Sequence, residues 1–303
     1  MHVKIRGASV MKSGLLVLAL SLLGAGYSVA QTSIVVSVAP QLTGLTVGQT
    51  ISLTATVTND TQNKGVTWSA TGGSFNVSAT ASGVATTYTA PASAGVYTLT
   101  ATSATDVTKS ASVTFGVTDL AGVFTYHNNL SRDGSNPSEY ALTPSNVSTT
   151  TFGKLFSCTV DGAIYAQPLW VANLTVGGVN HNVVIVATQH DSLYAFDADV
   201  NTSPCTPLWH VSLIDAAHGG SSSETTVPSG TTGYLVGGGS GDITPEVGVT
   251  GTPVIDPSSH TLYVVSKSVI TSGSTFYQRL HAIDLTTGNE KTGRDLLAGD
   301  ATS

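Results

Sequence analysis

The chain has 303 residues, 41% of them hydrophobic and only 10% charged, with a formal net charge of −7. That apolar content excludes a disordered chain, and length alone allows two or three domains. No Lys/Arg cluster occurs, so an acidic surface of this kind argues against nucleic acid and against anionic membranes as partners.

Residues 1–30 read as a secretory signal peptide. Lys4, Arg6 and Lys12 precede the apolar run "GLLVLALSLLGAGYSVA", which ends in the small-residue site Ser28-Val29-Ala30. Cleavage is expected after Ala30, and Met11 is an alternative start, because "MKSGLLVLALSLL" is a complete signal by itself. The run is short for a membrane span, so no span is expected after cleavage and the chain is expected to be secreted, periplasmic or in the outer envelope. Loss of the three basic residues leaves eight Lys/Arg against 18 Asp/Glu. In an oxidising compartment the two cysteines, Cys158 and Cys205, are candidates for a disulfide, although sequence cannot show whether their Cβ atoms meet.

Residues 33–118 carry short alternating segments rich in Val and Thr, among them "ISLTATVT", "GVTWSAT", "TTYTAP" and "SASVTFGVT". Each is bounded by Gly, Pro, Asn or Asp, and such spacing predicts a β-sandwich. Trp68 and Tyr97 are the expected core aromatics. The succession "VGQTISLTATVTND", "GVTWSATGGSF", "TTYTAPASAGVYTLTATS" and "KSASVTFGVT" resembles bacterial Ig-like domains. The resemblance implies a spacer or adhesion module without catalysis.

Residues 119–160 form a polar, turn-rich lead-in, and "GKLFSCTV" at its end is expected to be a strand that closes the following domain. From Asp161 to Ser303 a pattern recurs. Pro168 aligns with Pro253 and Asp197 with Asp284, and each unit offers about four strands that suit a meander, the form of a propeller blade. The stretches "VVIVATQHDSLYAFDADVNTSPCTPLWHVSL" and "TLYVVSK…RLHAIDLTTGNEKTG" resemble quinoprotein-like (PQQ-type) β-propellers, as does the lead-in "NPSEYALTPSNVSTTTFGKLFS". The expected fold is therefore all-β, an Ig-like β-sandwich followed by an incomplete propeller of about two four-stranded antiparallel blades. A closed propeller needs more blades, so the chain is expected to be the N-terminal part of a longer protein.

Blade geometry places the loop at 188–192 and the loop at 241–251 on one rim. The candidate ligand residues there are His190, Asp191, Asp242 and Glu246, with Tyr165 and Gln167 at the start of the innermost strand. Asp and Glu offer oxygen ligands for calcium, while His190-Asp191-Ser192 also reads as a simple hairpin turn. Residues 216–241 are expected to be a flexible insertion with His218 and Glu224 solvated and Tyr234-Leu235-Val236 docking it, and His127 and His281 are expected to be structural. Three functions stay open. The first is an exported, non-enzymatic protein that binds protein or carbohydrate at the cell surface or assembles there. The second, implied by the family resemblance, is the front part of a quinoprotein dehydrogenase using PQQ, calcium and an Asp base. The sequence holds no vicinal Cys pair and no C-x-x-C-H motif to support it. The third is a carbohydrate-active propeller with Asp242 and Glu246 as paired carboxylates.

Overall fold

Two sheets face each other over one core in the N-terminal half of the computed structural model. The structure describes residues 32–41, 44–137, 139–140, 142–144, 147–149, 153–154, 156–199, 204–229, 243–270, 275–291 and the backbone of 298–300. The signal-like segment therefore lies outside the described residues. The first sheet is ordered β1 (Val35–Ala39), β3 (Thr50–Thr58), β7 (Ala85–Thr89), β5 (Ser74–Phe75). The second is ordered β2 (Gly44–Thr46), β9 (Ser110–Thr118), β8 (Gly95–Ser103), β4 (Val66–Ala70), β6 (Ala79–Thr80). All pairs are antiparallel except β2 with β9.

Alternation builds this core. Leu53 and Ala55 of β3, and Leu99 and Ala101 of β8, point inward and are fully buried, and the threonines and serines between them are more exposed. Each buried leucine contributes on the order of 2 kcal/mol. Trp68 is in the core and its indole N–H donates to Thr80 Oγ1 at 3.0 Å. The tyrosine at the centre is Tyr88, fully buried with its hydroxyl donating to Gly72 O at 2.6 Å, whereas Tyr97 sits at the core margin and bonds Ser93 O.

The C-terminal half has two further sheets. One is a continuous antiparallel meander, β10 (Gly122–Val123), β11 (Leu169–Val176), β12 (Val179–Ala187), β13 (Ser192–Asp197), β14 (Trp209–Ser212). The other is built on β18 (Thr261–Ile270) and β19 (Phe276–Asp284), with β20 (Ala298–Asp300) beyond β19. Two short strands share the opposite edge of β18. β17 (Val254–Asp256) pairs with residues 261–263, and β15 (Glu224–Pro228) pairs with residues 268–270 and carries β16 (Glu246–Val247) on its outer side. Leu169, Ile185, Leu193, Leu262, Ile283 and Leu285 are at most 1% exposed in the core between these sheets. Trp209 of β14 donates its indole N–H to Leu285 O at 2.9 Å, and Gly288, at φ +76°, closes the adjoining turn against the indole ring. Asp284 holds that turn by accepting from Thr286 N and Oγ1, and although burial works against its charge, these bonds keep its carboxyl below the usual range.

Two expectations are corrected here. The described part of 153–160 forms no strand. Instead Cys158 and Val160 pack on Val186, Tyr194 and Phe196, the face of β12 and β13 turned away from the shared core. A Cys158–Cys205 disulfide ties the segment there, and the edge of β11 is taken by β10. The described part of the 216–241 insertion is ordered structure, with a 3-10 turn at Ala216–His218 followed by β15. His218 is 3% exposed, because its ring nitrogens meet Asp215 Oδ1 at 2.7 Å and Gly288 O at 3.1 Å. The Tyr234-Leu235-Val236 stretch lies outside the described residues.

A polar joint links the two halves. Thr46 Oγ1 donates to Asn173 Oδ1 at 3.2 Å, and Gln49 Nε2 donates to Asp199 Oδ2 at 2.8 Å. Asn182, 4% exposed, donates to both Asp199 Oδ2 and Gln49 Oε1. No helix among the described residues is long and apolar enough to cross a membrane.

Candidate functional site

The turn between β12 and β13 is a hairpin closed by Thr188 N donating to Ser192 O, with Asp191 in the left-handed region at φ +52°. Asp161 caps both ends, accepting from Thr188 Oγ1 at 2.9 Å and from Ser192 Oγ at 2.7 Å. Gln189, 1% exposed, reaches across to the other sheet, where it accepts from Gly248 N and donates to Val249 O. A Cβ on Gly248 would stand 2.4 Å from Gln189 O and 2.7 Å from Asp191 Oδ1, so only glycine allows this approach.

Asp191 is not a rim residue. It is fully buried, its Oδ1 accepts from Lys267 N at 3.2 Å, and its Oδ2 has no partner. It fills the part of the β18 edge left between β15 and β17. Burial pushes its carboxyl up to about 8, reinforced by Glu246 and Glu224 and opposed by the Lys267 amide and Arg279. His190 points the other way. It is half exposed and donates from Nδ1 to Glu246 at 2.9 Å, while Glu246 also accepts from Thr226 Oγ1.

Glu224 is buried in a bidentate pair with Arg279, at 2.5 and 2.9 Å, and accepts from Ser268 Oγ. This corrects its expected solvation: burial raises its carboxyl, but the guanidinium and hydroxyl outweigh that and hold it below the usual range. Gln167 accepts from His127 N at 3.0 Å, and its own N donates to Thr252 Oγ1. Tyr165 is 49% exposed on the approach to β11. Asp242 lies outside the described residues. His281 is fully buried between Ser266 Oγ and Glu290 Oε2.

The described part of this cluster does not fit the group that the quinoprotein resemblance implies. PQQ is a tricarboxylate, and among the described residues the guanidinium near Asp191, that of Arg279, is already taken by Glu224. Glu246, paired with half-exposed His190, adds a carboxylate near Asp191 rather than a cation. Among the described residues no group of three or more His, Cys, Asp or Glu side chains is arranged to hold a metal ion.

Two concave surfaces lie elsewhere among the described residues. A cleft of about 270 Å³ opens at the polar joint, floored by Leu45, Val117 and Leu120 and walled by residues of the lead-in and of β11. A second cavity, about 260 Å³, is lined by the disulfide and by the His181–Asp197 pair, whose Nδ1 to Oδ2 distance is 2.6 Å. Sequence reasoning missed the joint cleft and the Glu224–Arg279 pair. Each assembles residues far apart in the chain, and the only local signal was the strand-like alternation of "ETTVP". In comparisons with known proteins, no family model, no curated protein and no solved structure matches this chain.

Proposed function

We propose that the chain is an exported, non-catalytic binding protein. In this reading the N-terminal pair of sheets is a bacterial Ig-like module, and the C-terminal pair comprises two blades of a quinoprotein-like propeller. The meander from β11 to β14, the Trp209 contact with the Leu285–Gly288 turn, and the pairing of β17, β18 and β19 support the propeller assignment. Export is supported by the signal-like segment and by the disulfide, which persists in oxidising compartments.

One observation carries the binding reading. The side chains with chemical potential near the turn at 188–191 are engaged as ties between sheets: Gln189 to Gly248, Asp191 to Lys267, Glu224 to Arg279. An accessible concave surface lies at the joint between the halves, where domain interfaces commonly place ligand sites. The test uses the whole chain, purified from an oxidising compartment. It is assayed for retention on envelope polysaccharide and envelope protein, and in parallel for dye-linked alcohol oxidation with added quinone and calcium. Retention without oxidation is expected. Oxidation that depends on added quinone would overturn the proposal.

A further inference from the structure

We propose that the Cys158–Cys205 bond is a site of thiol–disulfide exchange. A small thiol entering the cavity beside it opens the bond and frees residues 156–160, a strap over the outer face of β12 and β13, which is then uncovered. The proposal goes beyond the binding reading and does not depend on it.

The bond borders open space. Both cysteines line the cavity of about 260 Å³, with Phe196 and Leu208 beside them. A thiolate must reach a sulfur to cleave a disulfide, and this cavity is the route.

Little else holds the strap. Neither cysteine lies in a strand. Among the described residues, no backbone hydrogen bond joins 156–160 to a neighbouring strand. Its polar contact, Cys205 Sγ to Ser157 O at 3.4 Å, involves a bridged sulfur with no proton to donate. What remains is the packing of Cys158 and Val160 on Val186, Tyr194 and Phe196, and the covalent bond itself.

Both flanks of the bond are fixed independently of it. Asp161, next in the chain, accepts from Thr188 Oγ1 and Ser192 Oγ, and Ala163 O accepts from Gln189 N at 2.8 Å. The strap can therefore turn away at Asp161 without disturbing the β12–β13 hairpin. Beyond Cys205, Leu208 N donates to Ala195 O at 2.7 Å and keeps β14 in register. Beneath the strap, Tyr194 stacks with Phe196 and with His210, their ring centroids 5.7 and 4.1 Å apart. Tyr194 is 9% and Phe196 7% exposed while the strap covers them. Cleavage of one bond thus unveils an aromatic surface and leaves the sheets in place.

The exchange balances. A thiolate attacks one cysteine sulfur and forms a mixed disulfide with it, and the other sulfur leaves as a thiolate that takes a proton from water. A second thiolate attacks the sulfur of the first external thiol, which releases the remaining cysteine. Two external thiols are oxidised to one disulfide, and the protein gains two thiols. An oxidising compartment restores the bond.

The experiment incubates the intact, oxidised chain with mercaptoethanol and counts free thiols with time, in urea concentrations below the unfolding transition. The rate should not rise with urea, because release of a strap exposes little surface. The reduced chain, trapped by alkylation, should keep its β-sheet circular dichroism and bind a dye for apolar surface. Chymotrypsin should cut it after Phe156 about tenfold faster than the oxidised chain, in proportion to the population of the open form. The double variant Cys158→Ser, Cys205→Ser, which needs no reagent, should reproduce the dye binding and the cleavage. Reduction that rises steeply with urea, and is slower than in the unfolded chain by about 10³-fold or more, would mean that the bond opens only with the whole fold and would overturn the site. Ready reduction with Phe156 still protected and no dye bound would overturn the release of the strap. Loss of β-sheet dichroism on reduction would overturn it too, since the bond would then hold the sheets themselves.

Discussion

Replacing Asp191 by Asn separates two roles of one buried carboxyl. The amide keeps the shape and, through Oδ1, the acceptor for Lys267 N, which lies 3.2 Å away in the native protein. It removes the ionisable group. In the folded chain burial holds Asp191 up to about 8, while an unfolded Asp titrates near the ordinary value of about 4. Between these values the native state keeps a proton that the unfolded state has released. Stability must therefore fall as pH rises through the window, by roughly 1.4 kcal/mol per unit, and level off above it. The variant lacks this slope, so relative to the native chain it should gain on the order of 3 kcal/mol between pH 5 and pH 7. Urea unfolding of the oxidised proteins at pH 5, 6 and 7, followed through buried Trp209, gives both curves, and their difference isolates this one group. Parallel curves, with no change in the gap from pH 5 to 7, would refute the buried-acid account.

Other substitutions test the remaining ties. Arg279→Met leaves Glu224, 3% exposed, without its cation, and should cost about 3–5 kcal/mol in urea unfolding. Adding Glu224→Gln to that variant should recover part of the loss. Gly288→Ala places a methyl 2.8 Å from the Trp209 ring at a positive φ and should cost about 1–3 kcal/mol in the same assay, with a shift in Trp209 emission. Serine at both Cys158 and Cys205 opens a loop of 47 residues, for which chain entropy gives a loss of about 4 kcal/mol in thermal or urea unfolding. His190→Ala removes only a half-exposed partner of Glu246 and should change stability by less than about 1 kcal/mol.

The all-β character was legible because alternation is a local signal. β3 and β8 each show it within nine residues, and the repeated Pro and Asp positions pointed to two similar units. Blade geometry put His190, Asp191, Asp242 and Glu246 on one rim; the structure pairs His190 with Glu246, buries Asp191, and leaves Asp242 outside the described residues. Burial of Asp191 was not legible. An Asp in a turn looks the same in sequence whether it faces water or inserts into the next sheet, and what decides is Lys267, 76 residues away. Glu224 and Arg279 are separated by 55 residues, so neither announces the other. The segment at 153–160 has strand composition, but a disulfide and an apolar patch on β12 and β13 hold it flat across a face. The joint cleft is the least local feature, since its walls come from β2, β9, the lead-in, β11 and the turn after β13.

The divided edge of β18 bears on cooperativity. In a simple stack of repeats each unit completes its own hydrogen-bond ladder, and neighbours add only an interface energy. Here the second unit's ladder is finished by a carboxyl from the first, and Trp209 of the first rests on the second unit's closing turn. The coupling runs through backbone as well as side chains. The two C-terminal sheets are therefore expected to unfold together rather than one after the other.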